Sequence, residues 1–250
     1  MKNKLGQNFL INNDIAKKEV AYADISKQDT VLEIGPGKGI LTQLIAEKAK
    51  KVIAIEIDKK LIDNLKDILP DNVELINDDV LKIDFQNISK FNKVVSNLPY
   101  QISSPVTFKL LNHNFDLAIL IFQKEFGQRI IANKNSNHYS RLSVMVYYKA
   151  ISKLLEYISK ENFKPIPKVD SCVIQIAPRK NPPFEVLNEN MFFEITKKLF
   201  NNRRKKIKNI LIKFYDISNC TVPFLDNRVE ELSPKQIGEL SNIIFKNNIY

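Results

Sequence analysis

The tetrapeptide at 97–100, with the sequence Asn-Leu-Pro-Tyr, is the segment of this chain best suited to chemistry on a flat aromatic amine. It follows an apolar stretch at 93–96, so the sequence places it on a loop that leaves a strand. Loops at the carboxyl ends of parallel strands are where open α/β sheets bind ligands. We therefore expect this tetrapeptide to lie in a ligand-binding site.

An exocyclic ring amine is a poor nucleophile because its lone pair is delocalised into the ring. The side-chain oxygen of Asn97 and the carbonyl of Leu98 can accept hydrogen bonds from such an amine and localise that lone pair. Pro99 fixes its own φ and offers no N–H, which stiffens the loop. Tyr100 can stack on a base, a contact that contributes roughly 1–3 kcal/mol. An ordinary turn is the alternative, since Asn and Pro are common turn residues.

A glycine-rich loop lies upstream of this tetrapeptide. The apolar stretch 30–34 runs into Gly35, Gly37 and Gly39, and a helix with apolar periodicity follows. Glycine lets the backbone turn sharply and approach a ligand closely. The order strand, glycine loop, helix is the context that a cofactor-binding loop requires.

Two acids follow the next two predicted strands. Glu56 ends the strand at 52–56, about 20 residues after the glycine loop, where a carboxylate commonly binds ribose hydroxyls. Asp79 follows the strand at 73–76, where it can accept a hydrogen bond from the amine of an adenine group. Loop solvation is the alternative role for Asp79 and its neighbour Asp78.

Five strands alternating with helices predict a doubly wound α/β sheet, in a domain that we place at 1–178. Asp58 is expected to cap a helix that turns Ile68 inward, and Ser104 to cap another helix. We expect an exposed loop at 133–140 and irregular structure at 163–167, where two prolines lie two residues apart. For 143–149 and 154–158 the sequence leaves helix and strand open, and 169–177 alternates as a last strand.

The remainder, 179–250, shows only helical periodicity, and we interpret it as a small helical domain. One predicted helix has an apolar face that includes Phe214, and another opens with a capping box at Ser233. The first of these two carries the clustered cations Arg203, Arg204, Lys205, Lys206, Lys208 and Lys213. Such clustering favours binding to RNA phosphates, and a solvated helix face is the alternative.

The composition favours an anionic partner, because 38 Lys and Arg residues outnumber 28 Asp and Glu residues. A basic bias of the whole proteome would give the same excess. The two Cys and two His residues lie at no spacing typical of a metal site, so we expect no metal. The sequence shows no apolar run typical of a signal peptide or membrane span, and we expect a soluble cytoplasmic protein.

The glycine loop, the two acids and the Asn-Leu-Pro-Tyr tetrapeptide together resemble the S-adenosylmethionine-dependent N6-adenine methyltransferases. Further motifs, which spread over nearly the whole chain, are similar to those of the ribosomal RNA adenine dimethyltransferase family: Gln7–Leu10, Tyr139–Ser143, Phe163–Ser171, Phe200–Lys205 and Glu230–Pro234.

The resemblance implies a Rossmann-like sheet with an antiparallel seventh strand, a helical C-terminal domain and S-adenosylmethionine as cofactor. It implies that Phe163 forms a second aromatic wall opposite Tyr100. It also implies the residues that contact the cofactor: Asn8, Leu10, Gly35, Gly37, Glu56, Asp79 and Asn97.

The implied reaction is direct transfer of two methyl groups to N6 of each of two adjacent adenosines in a hairpin loop near the 3′ end of small-subunit rRNA. The implied partner is this rRNA or an immature small ribosomal subunit, and we expect the enzyme to be a monomer. Four alternatives stay open: a large-subunit rRNA methyltransferase of the antibiotic-resistance type, a DNA adenine methyltransferase, a mainly non-catalytic assembly factor, and a nicotinamide-dependent dehydrogenase.

Overall fold

The structure, a computed structural model, describes residues 7–218 and 220–247. The chain divides into two compact units, one formed by 1–127 with 151–178 and the other by 128–150 with 179–250. The predicted boundary at 178/179 is thus a junction between the units, but 128–150 groups with the C-terminal unit.

Strands and helices alternate through the first part of the chain. The strands of the described residues are β1 (Phe9–Leu10), β2 (Thr30–Ile34), β3 (Lys51–Glu56), β4 (Val73–Asn77), β5 (Lys93–Asn97), β6 (Leu117–Gln123), β7 (Ala150–Ile158), β8 (Phe163–Lys164) and β9 (Ser171–Pro178). The α-helices of the same residues are α1 (Asn13–Tyr22), α2 (Ile40–Lys48), α3 (Lys59–Leu65), α4 (Ser103–Leu110), α5 (Lys124–Ile130), α6 (Arg141–Lys149), α7 (Glu189–Asn201), α8 (Ile207–Leu211) and α9 (Pro234–Lys246).

Within the described residues, seven strands form one sheet in the order β4-β3-β2-β5-β6-β9-β7. The strands from β4 to β6 in that order pair in parallel, whereas β9 pairs antiparallel with β6, with Cys172 opposite Phe122. The predicted α/β fold is therefore confirmed. From β2 the chain adds strands first on one side, as β3 and β4, and then on the other side, as β5 and β6. The position between β2 and β5 is therefore a topological switch point, where open α/β sheets leave a crevice for a ligand beyond the carboxyl ends of the strands.

The central strands are apolar on both faces, as a parallel sheet covered by helices on each side requires. Val31, Ile53, Val94 and Ile119 have no exposed surface. Helices α1 and α2 contribute Ala16 and further apolar residues to a core that these strands share. This rigid sheet fixes where the loops at its carboxyl edge begin.

Two predictions about helix ends need correction. The Asp58 side chain accepts a hydrogen bond from the backbone N–H of Lys60 and caps α3, as predicted. The helix ends at Leu65, however, so Ile68 is 54% exposed rather than buried. Ser104 is not a cap, because a 3-10 turn at Tyr100–Ile102 leads directly into α4, which begins at Ser103.

The two segments that the sequence left open form α6 and β7. The prediction of irregular structure at 163–167 is wrong for its first two residues, because Phe163 and Lys164 form the short strand β8, which pairs with β1. The ladder stops before Pro165, which has no N–H to extend it.

The C-terminal unit has its own apolar core, which includes Phe192, Ile210 and Leu240. Tyr139 belongs to this core and is only 1% exposed, so the predicted loop at 133–140 is not exposed throughout. Its hydroxyl donates a hydrogen bond of 3.0 Å to the carbonyl of Leu232, which satisfies the buried phenol. The predicted capping box at Ser233 is present and starts α9.

Neither cysteine forms a disulfide, and Cys172 is buried. Among the described residues, no helix is both long enough and apolar enough to cross a membrane.

Gly127 on α5 leaves almost no space for a side chain. A Cβ at this position would lie 2.2 Å from Cys172 Sγ and 3.2 Å from Ile174 Cδ1. We expect Gly127→Ala to lower the free energy of unfolding by about 1–3 kcal/mol, because overpacking outweighs the helix propensity gained. Urea unfolding measures this change. Glu125→Ala, at an exposed position of the same helix, is the control, and a Gly127→Ala protein as stable as the wild type would contradict the prediction.

Candidate active site

The glycine loop after β2 takes a conformation that side chains rarely adopt. Gly35 and Gly37 have φ angles of +74° and +59°. The N–H of Gly35 donates to the carbonyl of Ile55 at 2.9 Å, which ties the loop to β3. A Cβ on Gly37 would lie 2.7 Å from the ring of Phe9, so the N-terminal segment packs directly on this loop.

The loops that follow β2 and β5 touch each other. A Cβ on Gly35 would lie 3.3 Å from the Cγ and Cδ atoms of Pro99, a contact that leaves little room for any side chain at residue 35. Beneath this contact, the buried Ser96 hydroxyl donates a 2.5 Å hydrogen bond to the carbonyl of Ile34. The glycine loop and the Asn-Leu-Pro-Tyr tetrapeptide are therefore held side by side.

Asn97 is the last residue of β5 and is half-buried. Its Nδ2 donates a hydrogen bond of 3.2 Å to the carbonyl of Asn8. The amide oxygen is consequently the acceptor that this side chain can offer to a ligand. The side chain of Leu98 is 1% exposed, and this anchors the backbone that carries the Leu98 carbonyl.

Tyr100 is held in place by its hydroxyl, which lies 2.7 Å from Ser171 Oγ on β9. Burial raises the pKa of the Tyr100 hydroxyl, and the contact with Ser171 opposes that shift. The phenol is therefore neutral at physiological pH. Its contribution to a site is a positioned ring rather than a charge.

Phe163 differs from the expectation that it forms an open aromatic wall. It lies on β8 opposite Leu10 of β1, and its side chain has no exposed surface. It packs in the core of the first unit with residues such as Ile158 and Val173. The ring presents no face to solvent in this structure.

Glu56 ends β3 and is 3% exposed. Its Oε1 accepts a 3.0 Å hydrogen bond from the N–H of Asp58, and the N–H of Gly37 lies 3.4 Å from Oε2. Burial raises the pKa of Glu56, and these two backbone donors oppose the shift. Asp79 is half-buried, and its Oδ1 accepts a 2.9 Å hydrogen bond from the N–H of Leu81.

Two clefts open at this edge of the sheet. The first is lined by Gln7, Asn8, Phe9, Leu10, Glu33, Gly35, Pro36, Gly37, Lys38, Ile40, Leu41, Asn97 and Pro99. The second is lined by Gln7, Ile34, Gly35, Ile55, Glu56, Ile57, Asp78, Asp79, Val80, Leu81, Pro99, Gln101 and Ile102.

Gln7, Gly35 and Pro99 line both clefts, which are therefore neighbours. The arrangement suits one elongated ligand that passes between Gly35 and Pro99. It brings together all seven predicted cofactor residues, with Asn97 at one end and Glu56 and Asp79 at the other. Leu98, Tyr100 and Phe163 do not line either cleft.

Two of the lining and supporting residues were missed from the sequence. Glu33 lines the first cleft, and its charge inside the apolar run of β2 was the signal that could have identified it. Ser171, which holds Tyr100, carries no comparable local signal because its partner is 71 residues away. Among the described residues, no three His, Cys, Asp or Glu side chains cluster as metal ligands would.

The cluster of cations in the C-terminal unit lies mostly outside a helix, contrary to prediction. Helix α8 begins only at Ile207, so Arg203–Lys206 form the turn before it and Lys208 lies within it. The helix also ends before Phe214, which is 46% exposed rather than inward.

Ion pairs divide these cations into two groups. Arg203 Nη2 lies 2.8 Å from a Glu230 carboxylate oxygen, and Lys206 Nζ lies 3.0 Å from Asp226. Arg204, Lys205 and Lys208 are exposed, and the structure gives them no ion pair within the described residues. A phosphate group would meet this second group without first displacing a carboxylate.

The family model described as ribosomal RNA adenine dimethylase matches residues 1–246. A probable ribosomal RNA small subunit methyltransferase A of Thermococcus onnurineus (strain NA1) is 42% identical, over 98% of this chain and 93% of its own length.

Solved structures extend the comparison to the fold. A dimethyladenosine transferase from Plasmodium falciparum superposes with a TM-score of 0.82 at 29% identity, over 96% of this chain and 98% of its own. The 23S rRNA methyltransferase ErmE superposes with a TM-score of 0.71 at 26% identity, over 94% of this chain and 98% of its own. The likeness therefore covers nearly the full length in each case.

The contact between Tyr100 and Ser171 can be tested by a double-mutant cycle with Tyr100→Phe, Ser171→Ala and the double variant. Each single change removes the same hydrogen bond, so we expect a coupling free energy of about 1 kcal/mol in urea unfolding. Strictly additive effects would show that the two hydroxyls do not bind each other. Ser159→Ala, a serine before β8 that has no part in this contact, is a matched control.

Proposed function

The chain belongs to the ribosomal RNA adenine dimethylase family, and we propose that it transfers two methyl groups to N6 of each of two adjacent adenosines in the 3′-terminal hairpin loop of small-subunit rRNA. Its sheet is that of a class I methyltransferase, and it is an enzyme that acts on rRNA. The observation that carries the proposal is the contact of Gly35 with Pro99, which places Asn97 next to the glycine loop.

We propose S-adenosylmethionine as the cofactor, because the residues of both clefts fit its parts. The buried Glu56 carboxylate suits the ribose hydroxyls, and Asp79 suits the adenine amine. The absence of a side chain at Gly35 lets the cofactor's amino-acid end approach the backbone. When bound, S-adenosylmethionine supplies an electrophilic methyl group on a positively charged sulfur.

The protein's part in the reaction is to orient the target amine. Asn97 Oδ1 and the Leu98 carbonyl accept hydrogen bonds from the two N–H groups of this amine. These hydrogen bonds direct the nitrogen lone pair toward the methyl donor. The buried Leu98 side chain and the rigid Pro99 hold both acceptors before the substrate arrives. Orientation of this kind can supply a large part of a rate enhancement without an acid or base.

The target adenosine has to leave its stack to reach Asn97, at a cost of a few kcal/mol that is lowest in a loop. Tyr100, positioned by Ser171, provides one ring against which the base stacks. Phe163 would be the opposite wall, and because its ring is fully buried, the residues packed on it have to move first. The methylated amine is positively charged and acidic enough to lose its proton to solvent.

The small subunit is favoured over the large subunit as substrate by the relatives. The Thermococcus protein is named for the small subunit and is 42% identical, whereas ErmE is named for 23S rRNA and is 26% identical. We propose further that the enzyme acts as a monomer in the cytoplasm, on an immature small subunit, and contributes to ribosome biogenesis. In this proposal the exposed cations of the C-terminal unit bind rRNA phosphates.

Asn97→Ala tests the catalytic role directly. We expect methyl transfer from labelled S-adenosylmethionine to undermethylated small subunits to fall at least a hundredfold, because the preorganised acceptor is lost. Cofactor affinity should change only a few-fold, and Asn87→Ala, outside both clefts, should act as wild type. The labelled nucleoside is then mapped on the rRNA.

The account fails if the wild type labels only large subunits, which would favour the antibiotic-resistance type of activity. It also fails if Asn97→Ala loses cofactor binding but retains transfer once cofactor saturates. If neither the small nor the large subunits are labelled, a non-catalytic assembly role is favoured.

The division of the cations predicts unequal effects on RNA binding. Replacing Arg204, Lys205 and Lys208 together by Gln should reduce the slope of log affinity against log salt by about 2–3, close to one for each lost phosphate contact. Arg203→Gln should change the slope less, because that side chain is paired with Glu230. Lys246→Gln, an exposed position on α9, controls for net charge, and an unchanged slope in the triple variant would show that the turn faces solvent.

A further inference from the structure

Two carboxyl groups are buried next to the first cleft without the partners that buried carboxyl groups require. Glu19 on α1 and Glu33 on β2 are 0% and 1% exposed. Within the part of the chain that the structure describes, neither oxygen of Glu19 has a hydrogen-bond partner, and Oε2 of Glu33 has none. Buried polar groups are nearly always hydrogen-bonded, so these two side chains call for a functional explanation.

The surroundings of the pair disfavour negative charge on both groups. Burial raises the pKa of Glu33 to about 8, and the carboxylate of Glu56 on β3 adds to this shift. Burial, followed by the charge of Glu33, raises the pKa of Glu19 well above its usual range. The Thr42 hydroxyl on α2 is the neighbouring group that favours ionised Glu33. Glu33 is therefore mainly protonated at pH 7, and burial disfavours the ionised form of Glu19 as well.

The pair is placed so that a ligand in the cleft meets only one of its members. Glu33 lines the first cleft together with Gly35 and Asn97, whereas Glu19 is not part of the lining. Lys38 is the cation in the same lining, and its ammonium lies over the Phe9 ring, 5.6 Å from the centroid. Because Glu33 lines this cleft, a positive charge that enters the cleft can contact Glu33. The buried surroundings strengthen the interaction between the two charges.

We propose that Glu33, backed by Glu19, is a proton-releasing cation site that gives up one proton when the positively charged methionine end of S-adenosylmethionine enters the cleft. The inference rests on the proposed cofactor. The O–H bond of Glu33 breaks, the proton passes to solvent, and the resulting carboxylate pairs with the ligand's ammonium or sulfonium group. Burial and the negative charge that forms on Glu33 both disfavour ionisation of Glu19, so Glu33 is the group that releases the proton.

Calorimetric titration of the full-length protein in buffers of different ionisation enthalpy counts the protons released on binding. At pH 7 we expect close to one proton per S-adenosylmethionine bound, because Glu33 has a pKa of about 8 before binding. The count should fall steadily as the pH is raised from 7 to 9, where Glu33 is already ionised. Binding without proton release at pH 7 would overturn the inference and leave the proposed function intact.

Related ligands identify the cationic group. S-adenosylhomocysteine keeps the ammonium and lacks the sulfonium, so release with both ligands assigns the ammonium, and release with S-adenosylmethionine alone assigns the sulfonium. Adenosine has neither charge and should release no proton; release with adenosine would overturn the inference. If S-adenosylmethionine does not bind at all, the proposed function fails, and this inference fails with it.

Variants separate the two carboxyls. Glu33→Gln should abolish the proton release while leaving measurable binding, and unchanged release in this variant would overturn the inference. Glu19→Gln changes a carboxyl that does not line the cleft, so the release should persist. Glu47→Gln, at an exposed position on α2, is the control for loss of a carboxylate. If Glu33→Gln does not fold, the pH dependence of proton release by the wild-type protein still tests the inference.

Discussion

The close approach of Gly35 to Pro99 is the constraint on which the rest of the site depends. It joins the loops of two adjacent parallel strands, and both residues line both clefts. A side chain at residue 35 would have to push Pro99 away and would strain a backbone with φ of +74°. The amide of Asn97 would then lose its position relative to the glycine loop. The absence of a side chain at residue 35 therefore allows the glycine loop and the Asn-Leu-Pro-Tyr tetrapeptide to lie side by side.

Charge is distributed unevenly around this contact. Glu33, Glu56 and Asp79 place three acids along the clefts, two of them buried. Burial disfavours the ionised forms of Glu33 and Glu56, and Lys38 is a cation in the lining of the first cleft. The C-terminal unit instead has exposed cations, at Arg204, Lys205 and Lys208.

Local patterns in the sequence were sufficient to predict the sheet, the glycine loop and the strand ends that carry Glu56 and Asn97, because each depends on residues close in the chain. Residues whose environment depends on distant partners were not predictable in this way. Tyr139 is buried by a contact with Leu232, and Phe163 is buried by strand pairing across more than 150 residues. Glu19 shares the helix face of Ala16, where only the fold shows that a charge is enclosed.

A crystal structure with sinefungin, which carries an amine where the cofactor carries its methyl group, tests the central claim most directly. The account predicts that the adenine ring lies in the second cleft near Asp79, the amino-acid end lies in the first, and the amine points at Asn97 from beside Gly35 and Pro99. An amine that points away from Asn97, or an adenine ring seated in the first cleft, would contradict it.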